Sequence, residues 1–302
     1  MDCLAVLDQF LKENQIAFSA EVPMKDYTTF KIGGNCRRMV WPSSGCEIRK
    51  LLTFCREKQL PLYLVGNGSN LLVADGGLDG IVLQLGSRFS GIFLEGETQV
   101  VCESGATLAR ACVFAKDHGL TGMEFAYGIP GSVGGAAYMN AGAYGGEVKD
   151  IIAWCEHVDP EGNIVRVAGE ELSFSYRSSI YTDGENCITR VCFDLKPGNR
   201  EEISAAMEDY MERRRSKQPL EFPSAGSTFK RPKGGYASAL IDQCGLKGYS
   251  CGGAKVSEKH AGFIINYKNA TCEDVLRLIG EVSHKVEEET GFVLEPEVKL
   301  LP

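Results

Sequence analysis

The chain contains two glycine-rich stretches whose main-chain N–H groups could contact a ligand. They are GNGSN at Gly66–Asn70 and GIPGSVGGAAYMNAGAYGG at Gly128–Gly146, which has seven glycines in nineteen positions. Glycine lets another group come close to the main chain, although ordering it on folding costs more conformational entropy than ordering any other residue. GNGSN adds a hydroxyl and two side-chain amides as donors. The concentration of glycine therefore predicts a backbone that approaches a ligand.

Neither stretch matches the two common phosphate-binding motifs. A P-loop, GxxxxGK followed by Ser or Thr, is absent, and the dinucleotide motif GxGxxG fails because Leu71 stands at its sixth position. A Rossmann fold is therefore disfavoured. Successive N–H groups in a glycine turn can still form a nest for an anion. Taken alone, GNGSN is explained equally well as a tight turn between strands.

Length and charge exclude several classes of protein. A chain of 302 residues exceeds the size at which one core keeps growing, which predicts two or three subdomains. The net charge of -8 argues against a general binder of nucleic acid or of anionic membranes, although one local basic pocket remains compatible with it. The N-terminus lacks the basic segment and apolar run of a signal peptide, and no apolar run approaches the roughly 20 residues that span a bilayer. We expect a cytoplasmic protein without membrane insertion.

The cysteines do not suggest a metal site. All 12 are scattered without a CxxC pair, and only four histidines are available to complete a site. Structural zinc sites usually show closely paired ligands. We therefore predict no bound metal, and dispersed thiols fit a reducing compartment.

Apolar spacing predicts an α+β fold. Leu4–Leu11, Ile48–Cys55 and Leu108–Ala115 carry helical stripes, and Gly119 suits the position just beyond the third helix. Short strands are predicted at Leu62–Val65, from Leu71 and from Val100, and further strands and hairpins between residues 151 and 195.

The pattern changes near residue 200, where we place a domain boundary. Ile203, Met207 and Tyr210 form one helical face, and a last helix is predicted from Thr271, with Asp274 as its capping partner, to Gly291. FVLEPEVKLL at 292–301 predicts a strand. Its alternation puts Glu295, Glu297 and Lys299 on one face and Leu294, Val298 and Leu300 on the other. Spacing alone leaves the polar face as an ordinary exposed one.

Six motifs in a fixed order point to one family. They are YTTFKIGG at Tyr27–Gly34, GNGSNLLV at Gly66–Val73, GIPGSVGGAAYMNAGAYGGE at Gly128–Glu147, SYRSS at Ser175–Ser179, SAGSTFK at Ser224–Lys230 and LEPEVKLL at Leu294–Leu301. Across essentially the whole chain this series resembles the UDP-N-acetylenolpyruvoylglucosamine reductases (MurB) of peptidoglycan synthesis.

The resemblance implies a fold and a cofactor. Residues 1–200 would form an FAD-binding region of the vanillyl-alcohol-oxidase (PCMH) type, with two α+β subdomains and a core at about 30–197. Residues 201–302 would form an α+β substrate-binding domain whose last strand carries a catalytic glutamate. None of the four histidines lies inside a glycine motif, so we expect non-covalent FAD.

The resemblance also implies which residues hold FAD. The pyrophosphate would lie against Gly66, Asn67, Gly68, Ser69 and Asn70. The adenosine diphosphate portion and the path towards the isoalloxazine would lie beside Ile129, Pro130, Gly131, Ser132 and Gly134.

In such a reductase, NADPH reduces FAD and leaves, and hydride then passes from flavin N5 to the enolpyruvyl group of UDP-N-acetylglucosamine enolpyruvate. The product is UDP-N-acetylmuramate. This chemistry needs a cation at the carboxylate and an acid for the developing carbanion. The match assigns carboxylate binding to Arg177, enolate polarisation to Glu297 and proton delivery to Ser227. A hydroxyl in a Gly-Ser-Thr turn more often bonds local backbone, so the role of Ser227 rests on the match.

Shorter matches assign substrate contacts to Tyr144 and Lys217, although Lys217 can also be read as a solvated cation after an arginine-rich helix. One branch of the family has a loop after the active-site arginine whose tyrosine closes on substrate. Residues 178–200 are too few for it, so the chain resembles the second branch, and Tyr181 is not expected to replace that tyrosine. Arg231 stands where some relatives have asparagine.

Two other functions remain open at this point. One is an oxidase or dehydrogenase of an alcohol on the same flavin scaffold, which would need a base where Ser227 and Glu297 stand. The other is a binding module for flavin or a UDP-sugar without turnover. Protein partners, oligomeric state and the basis of a preference for NADPH are not predicted by the sequence.

Overall fold

The structure is a computed structural model that describes residues 3–302 and comprises two compact units. The first unit contains the residues up to Ala20, Arg38–Asn67 and Gly80–Glu212. The second unit contains Glu21–Arg37, Gly68–Asp79 and Arg213–Pro302. Both units are discontinuous in sequence, and the domain boundary near residue 200 stays a prediction. Within residues 3–302, no helix is both long and apolar enough to cross a membrane.

Helices and short strands alternate along the chain. The helices are α1 Cys3–Glu13, α2 Gly45–Glu57, α3 Leu108–Asp117, α4 Val133–Tyr138, α5 Arg200–Lys217, α6 Ala237–Gln243 and α7 Cys272–Thr290. The strands are β1 Ala17–Pro23, β2 Asn35–Trp41, β3 Leu62–Val65, β4 Leu71–Val73, β5 Leu78–Gln84, β6 Ile92–Glu95, β7 Gln99–Glu103, β8 Leu120–Thr121, β9 Gly142–Ala143, β10 Gly146–Glu147, β11 Ile152–Val158, β12 Ile164–Ala168, β13 Cys187–Asp194, β14 Lys196–Pro197, β15 Ser250–Cys251, β16 Ala254–Val256, β17 Ile264–Asn266 and β18 Lys299–Leu301.

Helix ends follow the predicted capping signals. The Thr271 hydroxyl accepts from the Asp274 N–H, and the Asp274 carboxylate accepts from the Thr271 N–H, so α7 begins with the predicted capping box. Gly291 ends α7 with a φ of 74°. Gly119, with a φ of 67°, follows α3 in the same left-handed conformation.

Two buried clusters of the first unit pack against the two largest sheets. A five-stranded antiparallel sheet has the order β12–β11–β13–β7–β6, and its core includes Val100, Phe193 and residues of α3 and α4. A four-stranded sheet has the order β1–β2–β5–β3, and β3 pairs with β5 in parallel. The apolar stripes of α1 and α2, including Leu7 and Leu51, cover the Ile81 side of that sheet.

The second unit packs α6 and α7 against the three-stranded antiparallel sheet β15–β16–β17. The buried stripe of α7 is the predicted one: Val275, Leu278, Ile279, Val282 and Val286. Strand β18 pairs in parallel with β4, which comes from a segment more than 200 residues earlier in the chain. The last three strand residues are therefore tied to the end of the GNGSN motif.

The last strand is shorter than predicted. It comprises only Lys299–Leu301, and Leu300 is 45% exposed although the alternation placed it on the buried face. Proline has no N–H for a strand ladder, and Pro296 interrupts the predicted run. Glu297 consequently lies in irregular chain before β18.

Candidate active site

Two glycine motifs meet in the first unit. The Asn67 side-chain amide donates to Pro130 O, and a Cβ atom at Gly66 would collide with the Ser132 hydroxyl. Gly134 is also in close contact with its surroundings, because a Cβ atom there would lie 2.7 Å from Ser104 Cβ. Part of the glycine content is therefore required by the contact between the two loops themselves.

The main-chain donors of these loops divide into two groups. The Ile129 N–H donates to Ala126 O and the Gly134 N–H to Ser104 O, so neither is available to a ligand. By contrast, five N–H groups donate to no acceptor within residues 3–302. They are those of Asn67, Gly68, Ser69, Gly131 and Ser132.

A buried hydroxyl lies beside these donors. Ser104 is 1% exposed, and its Oγ has no hydrogen-bond partner in the part of the chain that the structure describes. Buried polar atoms are nearly always hydrogen-bonded in proteins. The unused N–H groups of Asn67, Gly131 and Ser132 and this hydroxyl all belong to the first unit, and they are donors suited to the phosphate and ribose oxygens of a dinucleotide such as FAD.

The second half of GNGSN, which begins at Gly68, belongs to the second unit. Gly68 has a φ of 61°, and a Cβ there would collide with Tyr27 O. The Thr29 N–H donates to Gly68 O and its hydroxyl donates to Ser224 O at 2.7 Å. YTTFKIGG therefore holds the GNGSN and SAGST motifs together, a role that its sequence did not suggest.

Arg177 lies in the first unit on a strained turn. Ser175 and Ser178 exchange two main-chain hydrogen bonds, and Arg177 between them has a φ of 56°. A positive φ at the third residue of a tight turn is usually adopted by Gly or Asn. Such strain in a residue with a side chain often accompanies function. The Arg177 guanidinium carbon lies 5.2 Å from the centre of the Tyr176 ring.

Tyr144 lies at the tip of the β9–β10 hairpin. Tyr144 and Gly145 have φ values of 52° and 91°, so both central residues of this two-residue turn are left-handed. That conformation favours Asn-Gly, and a tyrosine there is unusual. Its ring stacks on Tyr210 with centroids 4.9 Å apart. The stack fixes the orientation of a phenol that is still 39% exposed.

A small charged cluster begins at Glu147, the last residue of β10. Lys149 Nζ is 2.8 Å from Glu147 Oε2. The hydrogen bond from Lys149 holds the pKa of the Glu147 carboxyl below its ordinary value, and the Asn140 amide and the Arg177 charge act in the same direction. Glu147 is therefore an anion next to the predicted carboxylate-binding arginine.

Ser227 and Glu297 lie on adjacent segments of the second unit. The Glu297 N–H donates to Thr228 O at 2.7 Å, and Glu297 O accepts from the Asn70 side-chain amide at 3.1 Å. Ser227 itself is exposed, and no protein acceptor or donor in residues 3–302 engages its hydroxyl. The structure thus removes the alternative in which this hydroxyl satisfies local backbone.

The other assigned cation lies at a helix end. Lys217 is the last residue of α5, is exposed, and has no ion-pair partner among the described residues. Tyr181, in contrast, is fully buried, and His157 Nδ1 lies 3.1 Å from its hydroxyl. It is a core residue, as expected for a tyrosine that does not replace the closing loop.

Sequence reasoning missed two residues of these sites, Ser104 and Asn140. Asn140 is 1% exposed and hydrogen-bonds both the SYRSS turn and the charged cluster. The signal in the sequence that could have found Asn140 is an asparagine within a glycine- and alanine-rich stretch, because asparagine tolerates the left-handed conformation. Ser104 had no local signal beyond its place in a turn.

The family comparisons match both parts of the chain. An FAD binding domain model matches residues 36–168, and a model for the UDP-N-acetylenolpyruvoylglucosamine reductase C-terminal domain matches residues 218–301. Together with the glycine loops, these matches define an FAD-dependent oxidoreductase that has an FAD-binding domain and an α+β C-terminal domain.

Relatives narrow the class to one family. The chain is 48% identical to UDP-N-acetylenolpyruvoylglucosamine reductase from Caldanaerobacter subterraneus, covering 98% of this chain and 96% of the relative. It is 46% identical to the enzyme of the same name from Syntrophomonas wolfei, covering 92% and 93%. The crystal structure of the reductase (MurB) from Thermus caldophilus matches with a TM-score of 0.82 at 35% identity, covering 95% of this chain and all of that one. The chain belongs to the UDP-N-acetylenolpyruvoylglucosamine reductase (MurB) family, and both rival functions give way to this assignment.

Proposed function

We propose that the chain reduces the enolpyruvyl double bond of UDP-N-acetylglucosamine enolpyruvate with NADPH, giving UDP-N-acetylmuramate and NADP⁺. One hydride comes from NADPH and one proton from the protein, so the two hydrogens added to the double bond are accounted for. Family membership supports the reaction, and the arrangement within each unit supports the residue roles.

The loops of the first unit supply the cofactor contacts in this proposal. Main-chain N–H groups of Asn67, Gly131 and Ser132 would bind the diphosphate, and the Ser104 hydroxyl would pair with a further cofactor oxygen. Bound FAD would supply hydride-transfer chemistry to the site.

Arg177 binds the substrate carboxylate in this proposal. Its planar guanidinium can donate two parallel hydrogen bonds to the two carboxylate oxygens. The same cation stabilises the charge that develops next to the carboxylate during reduction. Tyr144 and Lys217 contact the rest of the substrate, since one offers an oriented ring and the other a cation for phosphate oxygens.

The observation that carries the proposal is the hydrogen bond from the Glu297 N–H to Thr228 O. It joins the segment of the proposed proton donor, Ser227, to the segment of the polarising carboxylate. Because the Ser227 hydroxyl bonds no other protein group within residues 3–302, it is available to protonate a carbanion. Glu297 steadies the enolate when protonated or paired with a cation.

The reaction is tested by following NADPH absorbance with purified, FAD-loaded enzyme. We expect rapid NADPH consumption only when UDP-N-acetylglucosamine enolpyruvate is present, with UDP-N-acetylmuramate formed in equal amount. NADPH consumption that does not respond to this compound would contradict the proposed function.

The role of Ser227 is tested separately by the two half-reactions. Ser227→Ala should reduce the flavin with NADPH at the normal rate, but reoxidation by the enolpyruvyl substrate should slow on the order of 10²- to 10⁴-fold because the general acid is lost. Ser250→Ala, at an exposed serine of β15, is the matched control and should behave like the unmodified enzyme. Equal slowing of both half-reactions by Ser227→Ala would exclude it as the proton donor.

A further inference from the structure

We propose that Asn140 is a positioning residue that holds Arg177 in its strained conformation. The inference rests on the proposed function, because it takes Arg177 as the group that binds the substrate carboxylate. Asn140 belongs to the glycine-rich stretch and Arg177 to the SYRSS turn, 37 residues later. Both lie in the first unit.

The Asn140 side chain joins three separate segments. Its Nδ2 donates to Ser175 O and to Glu147 Oε2, each at 3.0 Å, and its Oδ1 accepts from the Lys149 N–H at 3.0 Å. Two acceptors face one end of the amide and a donor faces the other, so the network itself determines the orientation of the amide. The residue is 1% exposed, so water does not compete for these hydrogen bonds.

The bond to Ser175 acts directly on the arginine turn. Ser175 O also accepts from the Ser178 N–H, which closes the turn around Tyr176 and Arg177. In addition, Arg177 Nη1 lies 3.5 Å from Asn140 O. Asn140 therefore contacts both the main chain of the turn and the side chain that the turn presents.

Helix capping does not account for asparagine at this position. After α4, the Asn140 N–H donates to Ala137 O and the Ala141 N–H donates to Ala136 O, which is a Schellman motif with Asn140 in the left-handed position. Glycine is preferred there, because it adopts a φ of 43° without a steric cost. The side-chain bonds to the other segments are what asparagine adds.

Strain in this part of the molecule is concentrated around Asn140. Asn140, Tyr144 and Arg177 all have positive φ values, a conformation that residues other than glycine adopt uncommonly. Strained residues of this kind persist only where the surrounding structure holds them. The Asn140 amide supplies the hydrogen bonds that connect the segments carrying the other two.

The test is a double-mutant cycle with Asn140→Gly and Arg177→Ala in FAD-loaded enzyme. Asn140→Gly preserves the helix end and removes only the side-chain bonds. We expect normal flavin reduction by NADPH, flavin reoxidation by the enolpyruvyl substrate slowed on the order of 10- to 100-fold, and weaker binding of UDP-N-acetylmuramate by calorimetry. In the Arg177→Ala background, the added Asn140→Gly change should alter reoxidation less than about 2-fold.

Other outcomes overturn the proposal. If Asn140→Gly slows reoxidation by the same factor with and without Arg177, or leaves it unchanged, Asn140 does not act through Arg177. If Arg177→Ala alone leaves reoxidation unchanged, the carboxylate role in the proposed function fails and the positioning role fails with it. Asn140→Asp provides a second variant should the glycine variant not fold. It keeps the acceptor for the Lys149 N–H and loses the donor to Ser175 O. We expect it to slow reoxidation in the presence of Arg177 and to have less than about a 2-fold effect in the Arg177→Ala background.

Discussion

Ser227 and Thr228 are neighbouring hydroxyl residues with opposite environments. Thr228 is 3% exposed, and its hydroxyl accepts from the Ile264 N–H at 2.9 Å. Its main chain bonds Gly262 O and the Glu297 N–H. Ser227 is exposed beside it. Thr228 thus fulfils the structural role usual for such a turn, and this leaves Ser227 available for chemistry.

The buried pair of His157 and Tyr181 makes stability depend on pH. His157 is 5% exposed, and burial lowers its pKa below the ordinary value of 6.5, although the nearby Asp159 carboxylate opposes the shift. The unfolded chain therefore binds a proton more readily than the folded chain. By linkage, the free energy of unfolding is retained above pH 6.5 and falls as the pH drops below it.

We expect His157→Asn to reduce this loss of stability, since asparagine has a donor and acceptor near the imidazole Nδ1 position but does not titrate. Urea unfolding at about pH 7.5 and 5.5 measures the effect. His284→Asn, at an exposed histidine of α7, is the control and should keep the full dependence. An unchanged slope in His157→Asn would show that other groups cause the acid destabilisation.

At the scale of elements, the two glycine motifs that we propose as cofactor loops are positioned by close contact with each other. Gly66 lies at the end of β3 and Ser132 at the start of α4, where the Ser132 hydroxyl caps the helix by accepting from the Gly135 N–H. The Asn67 amide adds a bond to Pro130 O. The loops can approach only because Gly66 has no Cβ.

Gly66→Ala should therefore separate the loops and reduce the fraction of enzyme that retains FAD. The visible absorbance of purified protein and the Kd for added FAD measure the effect, which we expect to be at least about 10-fold in Kd. Gly280→Ala is the matched control. Gly280 is exposed within α7, and an added Cβ would meet no atom within 4 Å.

That control should bind FAD normally and raise the free energy of unfolding by about 0.5–1 kcal/mol, because alanine favours a helix more than glycine does. Normal FAD binding by Gly66→Ala would contradict the loop assignment.

At the scale of the whole molecule, the core of the second unit draws on distant parts of the chain. Phe30, Ile32 and Leu72 are 1%, 3% and 0% exposed, and they pack with Val275, Leu278 and other residues of the C-terminal region. Asp75 caps α7 by accepting from the Cys272 and Glu273 N–H groups. Strand β4 supplies the only strand partner of β18 among the described residues.

A fragment of residues 201–302 should therefore fail to fold alone. Burial of each of the three missing side chains contributes roughly 1.5–3 kcal/mol, or about 5–9 kcal/mol together. That sum is comparable with the total stability of a typical domain, about 5–15 kcal/mol. Near-ultraviolet circular dichroism and urea unfolding of the fragment, beside the full chain, provide the measurement. A cooperative unfolding transition in the fragment would refute this prediction.

Local patterns were enough to predict most of the helices. The stripe, capping box and terminal glycine of α7 depend on neighbours within a few residues, and the structure confirms them. The ordered motifs that resemble the reductase family were also readable in the chain, and the comparisons confirm the family and FAD. The assigned roles of Arg177, Ser227 and Glu297 stay predictions.

Tertiary structure alone decided how distant segments are joined. The GNGSN motif is divided between the two units, YTTFKIGG serves to hold two other motifs, and Asn140 joins the SYRSS turn to the glycine-rich stretch. The irregular chain around Glu297 also depends on Thr228 and Asn70, which are far away in sequence. The sequence by itself determined most of the helices and the kind of chemistry, because propensity, periodicity and motif identity are local. The hydrogen bonds that connect the segments of the assigned side chains form between residues tens to hundreds of positions apart, and no local pattern specifies them.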